Sequence, residues 1–228
     1  MQQHHQIYSF TTNQLLAEAA TEAILNSAQR AIAQNGCFKI VLAGGSTPNL
    51  IYQLLSQAQA DWQNWWIFWG DERCLPVDNA ERNSLMAMQA WLEKVTIPAA
   101  QIFPIKAELG AEQGAADYQA VAAQYLPFDL VLLGMGEDGH TASLFPGHVH
   151  QENELAHAVY NSPKPPSDRV SLSAGALSNA EQVLFLISGA GKQEPFRQWE
   201  QGDDLPVAQI KPENGIKIYA DYAALNLA

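Results

Sequence analysis

The chain has 228 residues, a formal net charge of −12 and only 12 Lys and Arg, scattered without a run, which argues against nucleic acid or an anionic membrane as partner. No apolar stretch reaches the ~18 residues of a membrane span, and Cys37 and Cys74 offer neither a disulfide framework nor a metal-ligand spacing. Residues 1–6 lack the basic and apolar pattern of a secretory signal, so the expectation is a soluble protein of the reducing cytoplasm.

Apolar residues over 15–32 recur at helical spacing, with Thr12 and Asn13 as candidate caps and Gly36 as a stop. Residues 39–43 form a short β-rich run that ends in Gly44-Gly45-Ser46-Thr47-Pro48, where Thr47 is expected to cap a helix and Pro48 to open it. A strand at 65–69, helices at 83–91 and 112–125, and a strand at 129–133 continue the alternation. Runs at 156–160, 169–172, 183–187 and 216–219 add strands, and a helix is expected around 192–199. The proline-bearing segment 162–167 reads as a loop.

Alternation of strand and helix without a composition break predicts one domain over 1–228. Its fold class is α/β, a Rossmann-like doubly wound, mostly parallel sheet with helices on both faces. Ligands of such sheets bind beyond the carboxyl ends of the strands. Three strands here end in glycine or charge clusters, so one site assembled from all three is the economical reading.

At the first, the glycines let backbone approach a ligand, Ser46 and Thr47 add hydroxyl donors, and the following helix offers unpaired amides to an anion. An ordinary strand-to-helix turn is the alternative. At the second, Gly70-Asp71-Glu72-Arg73, the guanidinium fork of Arg73 is suited to a phosphate while Asp71 and Glu72 orient it or supply a catalytic acid; a solvated ion pair is the alternative. The third, residues 134–147, delivers Asp138 and His140 after a buried strand, and an imidazole there suits general-base work.

Gly134-Met135-Gly136-Glu137-Asp138-Gly139 also fits a dinucleotide fingerprint, but Pro146-Gly147 would cut the required helix short. His148 and His150 share that loop without a zinc-like spacing, and Ser46 and Ser143 lack a nucleophile elbow. Arg169, which opens a strand, and Lys192, which follows the end of another, are further scarce cations that could converge on an anionic metabolite; a surface cation is the alternative for each.

Together, Leu-Ala-Gly-Gly-Ser-Thr-Pro (42–48), Trp-Gly-Asp-Glu-Arg-Cys-Leu-Pro (69–76) and the motif of 134–147 resemble the 6-phosphogluconolactonases over nearly the whole chain; the first motif is shared with the related glucosamine-6-phosphate deaminases. That resemblance implies hydrolysis of 6-phospho-D-glucono-1,5-lactone, the second step of the oxidative pentose phosphate pathway, without metal or organic cofactor. The partner is a phosphorylated sugar lactone, and the chain is expected to be a monomer or a weak homo-oligomer. It implies His140 as the base, Asp138 as its orienting acid, Arg73 as the phosphate arginine, and Arg169 and Lys192 near the substrate. Asn49 departs from the basic residue that many relatives carry after the first motif. Two other readings are deamination of glucosamine 6-phosphate and a non-catalytic sugar-phosphate sensor. The deaminases usually show Met-Asp-Glu-Tyr at the second motif and an Asn-Glu-Pro-Gly ending in the third, and this chain has neither.

Overall fold

The computed structural model describes residues 5–148 and 153–227; residues 1–4 and His150 lie outside them. Six strands form a parallel sheet: β1 (His5–Phe10), β2 (Phe38–Leu42), β3 (Trp65–Trp69), β5 (Phe128–Gly134), β8 (Ala180–Ile187) and β9 (Ile216–Asp221). Their order is β1-β9-β8-β5-β2-β3. From β2 the chain adds β3 on one side and then β5, β8 and β9 on the other, so the winding reverses between β2 and β5. In the β2–β5 pair, Ile40 lies opposite Leu130 and Val41 opposite Val131. In sheets of this kind a ligand site forms at such a reversal, beyond the carboxyl ends of the strands.

The inner strands read as continuous apolar runs because both faces are covered. Ile40, Leu130, Leu132, Val183 and Phe185 are fully buried, in one hydrophobic core that also takes in Leu16 and Ile24 of α1 (Asn13–Asn35). That helix begins and ends as its sequence predicts, with Thr12 accepting from the Leu15 amide and Gly36 at φ 77° closing it.

Not all strands join this sheet. β4 (Asp71–Arg73), β7 (Arg169–Leu172) and β6 (Ala156–Val159) make a separate antiparallel sheet, which corrects the expectation of a single sheet for 156–160 and 169–172. Gly70 is the joint: its amide donates to Leu42 on β2, and its carbonyl accepts from Leu172 on β7. The charged tripeptide expected as a strand-end turn is therefore itself a strand, with Asp71, Glu72 and Arg73 opposite Ser171, Val170 and Arg169.

Side chains alternate along β4, so Asp71 and Arg73 share one face while Glu72 points to the other. Fully buried Glu72 accepts the backbone amides of Asn83 and Ser84, each at 2.8 Å, and so caps α3 (Asn83–Ala90), which has no side-chain cap of its own. Arg82 faces it at 3.4 Å and also donates to Glu108 at 2.7 Å and to the Ile105 carbonyl at 2.8 Å. Glu72 Oε1 also accepts the Arg73 backbone amide at 2.8 Å, so this carboxylate is committed to Arg82 and to backbone amides of α3 and β4.

Removing one partner of a buried pair strands the other charge, at a cost of about 3–5 kcal/mol. Arg82→Met should lower the unfolding free energy by about that amount in a urea titration; a loss below ~1 kcal/mol would show that the pair does not secure α3.

Candidate active site

β5 runs into a turn folded tightly on itself. The Gly136 amide donates to the His140 carbonyl at 2.8 Å, the Gly139 amide to the Gly136 carbonyl at 3.1 Å, and the Thr141 hydroxyl to the Gly134 carbonyl at 2.8 Å. Asp138 and His140 are brought back over Gly136, with Asp138 Oδ1 2.5 Å from His140 Nδ1. A Cβ on Gly136 would lie 2.0 Å from that ring nitrogen and 2.6 Å from the carboxylate, so only glycine admits the pair. Gly139 is left-handed at φ 78°, and Ala142 takes φ 48°, a conformation an alanine holds only when its surroundings fix it.

With Nδ1 engaged by the carboxylate as an N–H donor, Nε2 carries the lone pair of the neutral imidazole. Burial lowers the His140 pKa below the ordinary histidine value; Asp138 pulls the other way, and the Lys164 charge adds to the fall. Burial opposes ionisation of Asp138, yet the contacts with His140 outweigh it and hold the carboxyl below its usual range. The pair is thus a carboxylate and a neutral ring at neutral pH, the state a general base requires.

The turn is tied to the small sheet. Ser143 donates to Asp71 Oδ2 at 2.6 Å, and its amide donates to Ser171 Oγ at 3.2 Å. Asn83 donates from Nδ2 to Asp71 at 3.0 and 3.1 Å and lies where a Cβ on Gly44 would be, 2.0 Å from its Oδ1. A buried hydrogen-bonded chain, Ser143–Asp71–Asn83, therefore links the second and third motifs, and Asn83 packs closely against the first at Gly44. Its centre, Asp71, is an organiser whose carboxylate is engaged within the protein.

The cations fall into two groups. Arg169 is buried, and its Nε and Nη2 donate to the carbonyls of Pro166, Lys164 and Pro165 at 3.3, 3.1 and 3.0 Å, with Nη1 3.9 Å from Asp71. Its carbon Cζ stands 5.6 Å from the Phe145 ring, which in turn lies 4.7 Å from the His140 ring. Arg73, opposite Arg169 in the ladder, donates from Nη1 to the Glu81 carbonyl. Lys192 ends a 3-10 turn, Ala190–Lys192, after β8, where Gly191 sits against Glu137; burial lowers its pKa, Glu137 opposes the shift and Lys164 adds to it. Neither Lys192 nor Lys164 forms an ion pair among the described residues.

The glycine cradle differs in one respect from its reading in sequence. α2 (Ser46–Leu55) starts at Ser46, after Gly45 at φ 111°, and no side chain caps it. Thr47 lies inside the helix, and its buried hydroxyl donates to Asn13 at 2.9 Å. Thr47 is therefore not the cap, and its hydroxyl is engaged within the protein. Ser46 is exposed at the helix start, and Gly44 and Gly45 remain as backbone that a ligand can approach.

Sequence reasoning passed over Asn83, Phe145 and Lys164. Only Lys164 carried a legible signal, as one of twelve cations placed in the loop 162–167. A separate groove of about 360 Å3 lies at the β1–β9 edge beside α1, lined by Tyr8, Phe10, Arg30 and Lys217 among others; it holds none of the strand-end residues above.

An all-parallel sheet with an acid–imidazole pair at the end of β5, beside its reversal, defines a Rossmann-like α/β protein. Residues 11–219 match the model of the glucosamine-6-phosphate isomerases/6-phosphogluconolactonase family, and the chain belongs to that family. A 6-phosphogluconolactonase of Synechocystis sp. is 35% identical over 221 residues, covering 91% of this chain and 92% of that one. The solved 6-phosphogluconolactonase of Trypanosoma brucei superposes with a TM-score of 0.88 at 29% identity, over 99% of this chain and 100% of that one. A monomeric glucosamine-6-phosphate deaminase, 19% identical with a TM-score of 0.86, shares the fold.

Because the Asp138 charge raises the His140 pKa against burial, Asp138→Asn should move the His140 midpoint further down, as followed by NMR of the imidazole Cε1 proton. A midpoint that stays or rises would mean that the carboxylate does not act on this ring.

Proposed function

We propose that this chain hydrolyses 6-phospho-D-glucono-1,5-lactone to 6-phospho-D-gluconate, the second step of the oxidative pentose phosphate pathway, with His140 as general base and Asp138 as the acid that orients it. The 2.5 Å contact at Nδ1 carries this reading, since it leaves Nε2 as the basic nitrogen. A relative named 6-phosphogluconolactonase, at 35% identity over nearly full length, supports it.

A δ-lactone is already activated toward water, so the reaction needs a base, orientation and a place for developing charge. Water attacks C1 as Nε2 takes its proton; the tetrahedral intermediate collapses, the C1–ring-oxygen bond breaks, and the proton passes to the released hydroxyl. A base of this kind supplies about 10²–10⁴-fold, equivalent to about 3–5 kcal/mol of barrier. Amides of the glycine turns at Gly44, Gly45 and Ser46 are available to an anionic oxygen, and Arg73 and Lys192 are the proposed partners of the phosphate. Arg169, three of whose donors hold a loop, acts at most through Nη1. No step is routed through a metal or organic cofactor.

A dinucleotide site would need a helix directly after β5, and no α-helix lies within residues 135–148. A deaminase reading would need an acid in the place of Ser143-Leu144-Phe145, and the acid nearest in sequence to Arg73, Glu72, is committed to capping α3. The proposal extends to one domain over 1–228, built on one continuous core, acting in the cytoplasm as a monomer or weak homo-oligomer. No helix among the described residues is long and apolar enough to cross a membrane.

His140→Ala should lower kcat/KM for the phospholactone by about 10²–10⁴-fold once spontaneous hydrolysis is subtracted; near-unchanged turnover refutes the base assignment. In the wild type, kcat/KM should rise with pH through a midpoint below the ordinary histidine value and be level by neutrality, since the ring acts deprotonated. Arg73→Ala should weaken the phosphorylated lactone far more than glucono-1,5-lactone, and equal losses would remove Arg73 from the phosphate site.

A further inference from the structure

We propose that Lys164 is a phosphate-binding residue of this site and that Arg169 serves as the positioning residue that holds it there. The inference rests on the lactonase reading above and assigns the two cations different work.

The backbone of Lys164 is fixed from several sides. Its amide donates to Ser162 Oγ at 3.3 Å, and its carbonyl accepts from Ser162 Oγ at 2.8 Å and from Arg169 Nη2 at 3.1 Å. The Ser162 amide, donating to the Ser167 carbonyl at 2.9 Å, closes the loop. Arg169 reaches this loop from β7, buried, with three donors on three consecutive carbonyls. A guanidinium so engaged has little left for a ligand. The Lys164 side chain is in the opposite condition: exposed, in no ion pair among the described residues, on a backbone already held in place.

Its location suits a phosphate. The Lys164 charge is felt at both His140 and Lys192, and its loop is tied by Arg169 to the framework that carries the base. Arg169 is also braced against the Phe145 ring that packs on His140, which places loop and base in one framework. Two ammonium groups that repel each other in an acidic chain are neutralised together by a dianion held between them. Such a preformed pair costs little further ordering when the phosphorylated end of the substrate arrives.

The test is a cycle of Lys164→Gln, Arg169→Gln and the double variant, read by hydrolysis of the phospholactone and of glucono-1,5-lactone and by calorimetric binding of 6-phosphogluconate. Lys164→Gln should raise KM for the phospholactone and weaken 6-phosphogluconate about 10-fold or more, with kcat within about threefold and a much smaller loss on the unphosphorylated lactone. Arg169→Gln should weaken 6-phosphogluconate similarly and speed hydrogen exchange at the Lys164 amide, and the double variant should bind no worse than Arg169→Gln alone. Wild-type affinity in Lys164→Gln, equal losses on both lactones, or losses that multiply in the double variant would overturn the proposal. Should Arg169→Gln fail to fold, the exposed Lys164 variant still decides by itself. A wild-type chain that binds 6-phosphogluconate but does not turn over the lactone would defeat the lactonase reading while leaving the Lys164 binding result to stand.

Discussion

The close approach of Asp138 and His140 above Gly136 is the contact on which the rest depends. A carboxylate oxygen 2.5 Å from Nδ1 fixes the ring's rotation and tautomer together, and the missing Cβ at Gly136 makes room for both side chains. Burial alone would leave a neutral but unaimed histidine, and an exposed acid alone would raise the pKa without excluding water. Here burial dominates while the acid opposes it, so the ring is neutral and basic at one defined nitrogen.

That contact is positioned by a joint between two sheets. Gly70 lets the chain leave the parallel sheet and continue as β4, which alternates its carboxylates to opposite faces. Asp71 then holds Ser143 of the turn and Asn83 under the glycine cradle, while Glu72 caps α3 from behind. Two adjacent acids that look equivalent in sequence do different mechanical jobs because a strand has a period of two. The buried polar chain is satisfied at each of these links, a condition under which such networks rigidify a site.

Much of this was legible in sequence. The buried runs of β2, β3, β5 and β8, the Thr12 and Gly36 boundaries of α1, and the delivery of Asp138 and His140 beyond a strand follow from local patterning. Other features were not. β1 is an exposed edge strand with little apolar alternation, and β4 is a charged tripeptide whose strand state comes only from pairing with β7. Thr47 has a cap's composition, but the helix begins one residue earlier and its hydroxyl finds Asn13 across a helix pair. Arg169 read as a free cation because its loop carbonyl partners, although close in sequence, are brought to it only by the fold of residues 162–167. Tertiary hydrogen bonds, which leave no periodic trace, decide these cases.

The central claim is that Asp138 locks His140 in the Nδ1–H tautomer, leaving Nε2 free to take a proton from water. The most direct measurement is long-range nitrogen–proton correlation NMR of the histidine-labelled protein at neutral pH. The account predicts a protonated Nδ1 and an unprotonated Nε2 for His140; a proton resident on Nε2, or a charged ring at that pH, would contradict it.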